Sequence, residues 1–209
     1  SDLMETVSHA CTRGAELCKD LMSFARPDEP QRVVTYIEGA IDAALAVATQ
    51  QLNNANISVY REYNTDKKPV AVDIGQMEQV FLNIIINACH AMQNGGDLTV
   101  NTSIQEAATV VIKISDTGMG IAPEHLTRIF EPFFTTKGRL GESETPGTGL
   151  GLSVSHGIIS AHGGQITAYS QLNAGTTIEI HLPTVSSDNI QNIQNVIEPT
   201  GLPVACNKE

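Results

Sequence analysis

Apolar positions along the chain change period several times, and each change marks an element boundary. Near the start, Met4, Val7, Cys11, Gly14, Cys18, Leu21 and Ala25 recur at spacings of three and four. Leu3, Ala10, Leu17 and Phe24 form a second column beside them. Two adjacent columns predict a long helix over residues 1–26 with a face broad enough for a helical bundle. Such a face needs a cover, so the helix is expected to be part of a bundle or dimer, the alternative being a helix packed on its own domain. It ends before Pro27, and Pro30 follows in an acidic linker over 27–31.

A short strand is expected over 31–35. A helix from Ile37 to Leu52 then places Ile37, Ile41, Ala44, Leu45 and Ala48 on one face. Ile57 to Tyr63 and Val70 to Asp73 read as strands, punctuated by Asn53, Asn54, Asn64 and Pro69. The next helix, over 75–93, carries Met77, Val80, Phe81, Ile84, Ile85, Ala88, Ala91 and Met92 at helical spacing. Leu82 and Ile86 widen its apolar surface, so it is expected to be buried on most sides. Alternation through Leu98, Val100, Thr102 and Ile104, and again through Val110, Ile112 and Ile114, predicts a β-hairpin around Glu106-Ala107-Ala108. Pro123 opens a short helix to Ile129. A helix from Gly149 to His162 and strands Ile166 to Ser170 and Thr176 to Leu182 complete the pattern. The asparagine- and glutamine-rich segment 185–209 reads as a disordered tail.

At 209 residues with 41% hydrophobic content, one ordinary domain plus flanking segments is the expected organisation. A net charge of −11 argues against non-specific binding to nucleic acid or to an anionic membrane surface. There is no run of eighteen apolar residues and no signal-peptide pattern over residues 1–20, so a soluble chain, or a soluble piece of a membrane protein, is expected. Cys11, Cys18, Cys89 and Cys206 form no C-x-x-C pair and read as reduced thiols of a cytosolic protein.

Two features carry chemistry. On the 75–93 helix, Gln79, Asn83, Asn87 and His90 fall on one stripe. Burying that stripe without partners costs about 1–3 kcal/mol per group. It is therefore a solvated edge, one with a core histidine satisfied by the backbone, or one wall of a polar site. The second feature is a pair of glycine turns. Asp116-Thr117-Gly118-Met119-Gly120-Ile121 follows a strand, and Gly147-Thr148-Gly149-Leu150-Gly151-Leu152 opens a helix. Closely spaced glycines let a backbone turn its N–H groups toward an anion, and a helix N-terminus adds its dipole. Neither turn is a Rossmann or Walker sequence. Between them lies a polar stretch, Gly138 to Pro146, that reads as a mobile loop.

With these pieces placed, residues 32–183 resemble the catalytic ATP-binding domain of bacterial sensor histidine kinases, in the GHKL superfamily. Asn83 to Ala91 resembles the N box, and Asp116 to Gly120 the G1 box. Phe130-Glu131-Pro132-Phe133-Phe134-Thr135-Thr136-Lys137 resembles the F box, and Gly147 to Leu152 the G2 box. The wording around Asn87 and Phe134 is most similar to the nitrogen-regulator subgroup. The resemblance implies an α+β fold, the Bergerat two-layer α/β sandwich, with a mixed sheet covered by helices on one face. That domain spans 32–184 and is preceded by the long helix.

The same resemblance implies ATP and Mg²⁺ as ligands. Asn87 supplies an amide oxygen to the metal, and Asp116 accepts from the adenine amino group. Gly118, Gly120 and Ile121 pass the base, and Thr176 adds a contact on that side. Gly147, Thr148, Gly149, Leu150, Gly151 and Leu152 face the triphosphate, under a lid formed by 135–147. Phe134, Thr136 and Lys137 border it, and His90 and Lys137 meet phosphate oxygens. Asn83 stands where the hydrolytic relatives carry a glutamate, and an amide is no base at neutral pH. With Asn83, Asn87 and His90 as catalytic residues, the activity implied is a protein-histidine kinase, whose neutral imidazole acceptor needs little help. A nucleotide-dependent regulatory module and a GHKL-type ATPase are the alternatives.

The acceptor signature itself is absent, since His9 is followed by Ala10-Cys11-Thr12-Arg13-Gly14. Residues 1–26 resemble the second helix of the dimerisation domain, so the acceptor histidine is expected to precede Ser1. The partners implied are that domain's helices in a homodimer and the receiver domain of a response regulator, with neither nucleic acid nor membrane contact. The compartment implied is the cytoplasm, whether or not the parent protein is membrane-anchored.

Overall fold

A computed structural model describes residues 30–65, 68–105, 108–136 and 147–185. The expected helix over 1–26, the tail beyond Val185, and Lys137 with the loop to Pro146 lie outside the described residues. Within them, the order is β1 (Val33–Thr35), α1 (Ile37–Asn54), β2 (Ile57–Asn64), β3 (Val70–Val72) and α2 (Ile74–Ala91). Next come β4 (Gly96–Gln105), β5 (Thr109–Asp116), α3 (Pro123–Leu126), α4 (Gly151–Ala161), β6 (Gln165–Gln171) and β7 (Gly175–Pro183). This follows the predicted order, element by element. The short helix stops at Leu126 rather than Ile129, and turns carry the chain on to Phe130.

Five strands form a mixed sheet in the order β2-β4-β5-β7-β6, in which β2 and β4 are parallel and the other pairs antiparallel. β1 and β3 make a separate antiparallel ribbon. Alternation decides the faces. Leu98, Val100, Val110, Ile112, Ile114, Ile178, Ile180 and Leu182 point to the side covered by α1, α2 and α4. Asn101, Lys113 and Glu179 are Cα partners on the opposite side, where Lys113 and Glu179 form an ion pair at 2.7 Å. The sandwich thus has two layers, with helices on one face, as expected.

α2 is the centre of the helical layer. Asp73 caps its start by accepting from the Gln76 N–H at 3.0 Å. Met77, Val80, Phe81, Ile84, Ile85, Ala88 and Cys89 are buried, while Leu82 and Ile86 are half-buried against the core. Cys89 is free, and burial raises its thiol pKa, so it behaves as a packing group. Two described segments at the ends of the domain are tied to this layer. Gln31 N–H donates to Asp73 at 2.9 Å, and Val185 N–H donates to the Pro69 carbonyl at 2.9 Å. Val185, read as the first residue of the tail, is therefore attached. Among the described residues no helix is long and apolar enough to cross a membrane.

Candidate functional site

Helix α2 touches both glycine turns. At one end, the Asn83 side-chain nitrogen donates to the Gly151 carbonyl at 3.2 Å. At the other, the Ala91 carbonyl accepts from the Met119 N–H at 3.1 Å. Eight helical steps lead from Asn83 to Ala91, a span of about 12 Å. Asn87 is half-buried and His90 exposed on the stretch between them, and both engage neighbours. Helix α2 is thus in contact with both turns.

The first turn is shaped by close backbone approaches. A Cβ on Gly118 would lie 2.7 Å from the Ala91 carbonyl oxygen. One on Gly120, whose φ is +68°, would lie 2.0 Å from that of Gln171. These glycines are required by the fold itself, before any ligand is considered. Asp116 ends β5 just ahead of the turn. Its Oδ1 accepts from the Gly118 N–H at 2.9 Å and the Thr176 N–H at 3.2 Å. Burial raises the pKa of this carboxyl, and the two N–H donors pull it back down. A cavity of about 300 Å³ lies beside the turn, bordered by Ala91, Gly95, Thr117 and Met119.

The second turn presents a helix start. Leu150 occupies the N-cap of α4 without a side-chain cap, in contrast to Asp73 on α2. Thr148 Oγ1 accepts from the Leu150 N–H at 3.2 Å, and Ser155 Oγ joins Asn83 on the Gly151 carbonyl at 2.9 Å. The first-turn N–H groups of an α-helix have no carbonyl partner within the helix, which suits a start of this kind to an anion. Gly149, at φ +69°, passes so close to Phe133 that a Cβ would lie 2.5 Å from its carbonyl carbon. The F-box segment and the second turn therefore meet at their backbones. Phe134 is half-buried, with the Arg128 guanidinium 4.5 Å from its ring centroid, and Thr136 is exposed.

Among the described residues no three or more His, Cys, Asp or Glu are grouped to hold a metal ion. The half-buried Asn87 carries an amide oxygen, the donor type that a hard cation accepts alongside phosphate and water.

The description "Histidine kinase-, DNA gyrase B-, and HSP90-like ATPase" matches residues 72–186, more than half of the chain. The chain belongs to this ATPase family. Within it, sensor kinase CckA of Brucella abortus (strain 2308) is 37% identical over 196 residues, covering 87% of this chain and 20% of the relative. Sensor histidine kinase ZraS of Escherichia coli (strain K12) is 31% identical over 181 residues, covering 87% and 37%. The chain thus spans about a fifth to two fifths of the length of these relatives. Among solved structures, the nucleotide-free catalytic domain of histidine kinase ThkA superposes with a TM-score of 0.63 at 27% identity, covering 73% of this chain and 95% of that one. Full-length ShkA in complex with AMPPNP shares the fold, with a TM-score of 0.77 at 22% identity over 89% of this chain and 39% of that one. The domain is therefore the ATP-binding catalytic domain of the sensor histidine kinase branch of the ATPase family.

The structure brings together Asn83, Gly151 and the start of α4, and separately Ala91, Gly118, Asp116 and Thr176. Lys137 lies outside the described residues. Sequence reasoning missed three residues that shape the site. Ser170 bonds to Ile121, Gly175 and Thr176. Gly175, at φ +99°, sits where a Cβ would be 1.9 Å from the Asp116 carbonyl oxygen. His162 ties α4 to the α2 cap. Ser170 had a signal, being a polar residue in phase with the inward positions Ile166 and Ala168.

Proposed function

We propose that this domain binds Mg-ATP along α2 and transfers its γ-phosphoryl group to a histidine on a dimerisation helix. The single observation that carries the reading is the span of α2 between two dissimilar turns. One end holds a half-buried carboxylate suited to a base, and the other an uncapped helix start suited to phosphates. Asp116 accepts from the adenine amino group, with Gly118, Gly120, Ile121 and Thr176 around the base. The turn from Gly147 to Leu152 faces the triphosphate, and His90 meets phosphate oxygens. Asn87 offers its amide oxygen to Mg²⁺, which when bound neutralises phosphate charge.

Asn83 is engaged with a backbone carbonyl, and its amide takes no proton at neutral pH. The acceptor imidazole therefore attacks the γ-phosphorus with its own lone pair while the bond to the β–γ bridging oxygen breaks and ADP leaves, and this chain contributes position and hydrogen bonds. The relatives named sensor kinases support this reading. ThkA has also been solved in complex with the response regulator protein TrrA, which supports a receiver domain as the final acceptor. The working form is a homodimer in the cytoplasm, formed through the dimerisation helices.

The test supplies the domain with a separate acceptor-helix fragment of the same parent protein and radiolabelled ATP. Acid-labile, base-stable label on that fragment is the expected result. Tight ATP binding without such label would favour a regulatory module, and steady phosphate release without an acceptor would favour an ATPase.

A further inference from the structure

One row of side chains crosses the sheet beside Asp116. Asp116 on β5 is the Cα partner of Thr176 on β7, which is in turn the partner of Ser170 on β6. Each lies two residues from an inward position of its own strand, namely Ile114, Ile178 and Ala168. All three side chains therefore share the helix-facing side.

The Ser170 hydroxyl has three neighbours. The Ile121 N–H donates to it at 2.8 Å, the Gly175 carbonyl lies 2.8 Å away, and Thr176 Oγ1 lies 2.9 Å away. A serine hydroxyl owns one proton and two lone pairs. The carbonyl can only accept, so it takes the proton. The amide can only donate, so it takes one lone pair. The lone pair that is left faces Thr176, whose hydroxyl must donate into it.

We propose that Ser170 is a specificity-determining positioning residue, which turns the Thr176 proton away from the ligand and leaves only lone pairs beside Asp116. This rests on the reading of Asp116 as the adenine-binding carboxylate. A purine 6-amino group then meets acceptors on both neighbouring strands. A 6-oxo group meets the same acceptors and is rejected twice. Thr176 is nearly covered, so water is a poor substitute for the lost match.

The experiment compares Kd values for Mg-ATP and for magnesium inosine triphosphate, which carries a 6-oxo group without guanine's 2-amino group. The proteins are wild type, Ser170→Ala, Ser170→Cys and Ser170→Thr. Wild type prefers ATP. In Ser170→Ala the Thr176 hydroxyl is released to donate to the 6-oxo group. The ATP preference then falls about tenfold, the worth of one neutral hydrogen bond. Ser170→Cys, a weak hydrogen-bonding group of similar size, moves the same way and serves if the alanine variant does not fold. Ser170→Thr keeps the preference. On a Thr176→Val background, Ser170→Ala changes the preference no further. Equal weakening of both nucleotides in Ser170→Ala and Ser170→Cys would reduce Ser170 to structural support and overturn the proposal. A wild type with no preference for ATP would instead overturn the adenine reading on which it rests.

Discussion

Asn83 on α2 donates its side-chain N–H to the Gly151 carbonyl at 3.2 Å, so the centre of one helix holds the first peptide of another. Ser155 Oγ donates to the same oxygen at 2.9 Å. The clamp fixes the direction in which the start of α4 faces.

Removing it should therefore be felt at the phosphate end. Asn83→Ala loses one half-buried hydrogen bond, about 1 kcal/mol of stability, and weakens Mg-ATP binding several-fold. Asn83→Asp sets a carboxylate against the carbonyl and costs more, on the order of 2–3 kcal/mol. Urea midpoints and nucleotide titrations read both effects. An aspartate variant as stable as the alanine variant contradicts the clamp.

At Asp116 the proposed adenine contact and folding stability oppose each other. Burial raises its native carboxyl pKa, and the Gly118 and Thr176 N–H donors offset only part of the rise. A native pKa above the unfolded one means that the folded state binds more protons in that window, so stability falls as pH rises through it. The penalty is absent below the ordinary carboxylate pKa of about 4 and complete above the raised native value. Asp116→Asn keeps an oxygen for both backbone donors and removes the charge. The variant should melt at or above wild type at pH 7, lose useful ATP binding, and lose its stability advantage on acidification. Melting curves across pH, paired with ATP titration, test this. A variant with near-normal ATP affinity sinks the assignment.

His162 is buried and bonded at both ring nitrogens. Asp73 N–H donates to Nε2 at 3.0 Å, so Nδ1 carries the proton and donates to the Ile158 carbonyl at 2.8 Å. The ring joins the end of α4 to the cap of α2, opposite the Asn83 clamp. His162→Ala removes a buried ring and two hydrogen bonds, a loss on the order of 3 kcal/mol. Amide exchange at Asp73 should quicken along with the lowered denaturant midpoint. Unchanged protection there would show that the two helices are held by other means.

Two glycines should respond in opposite directions to the same substitution. At Gly175, with φ +99°, a Cβ would lie 1.9 Å from the Asp116 carbonyl oxygen, so Gly175→Ala should cost 3 kcal/mol or more, on the order set by clash plus left-handed strain. At Gly157, inside α4, a Cβ meets nothing within 4 Å. Gly157→Ala should stabilise the domain by about 1 kcal/mol, the difference in helix propensity. Thermal melts of the two variants are the check.

What the sequence determined by itself is the set of elements and the two turns, because period, proline and glycine act over a few neighbours. The alternation of Val110, Ile112 and Ile114 and the helical spacing from Met77 to Met92 each required one local structure, and each formed it. The polar stripe of α2 was legible as a stripe, while its partners were not. Asn83 meets Gly151 across 68 residues, His162 meets Asp73 across 89, and Ser170 meets Ile121 across 49. A hydroxyl or amide is satisfied by whatever acceptor the fold delivers, and that delivery is a property of packing. The tertiary structure alone decided that Gly118 and Gly120 are pressed against protein backbone, and that the Ser170 and Thr176 hydroxyls meet at 2.9 Å.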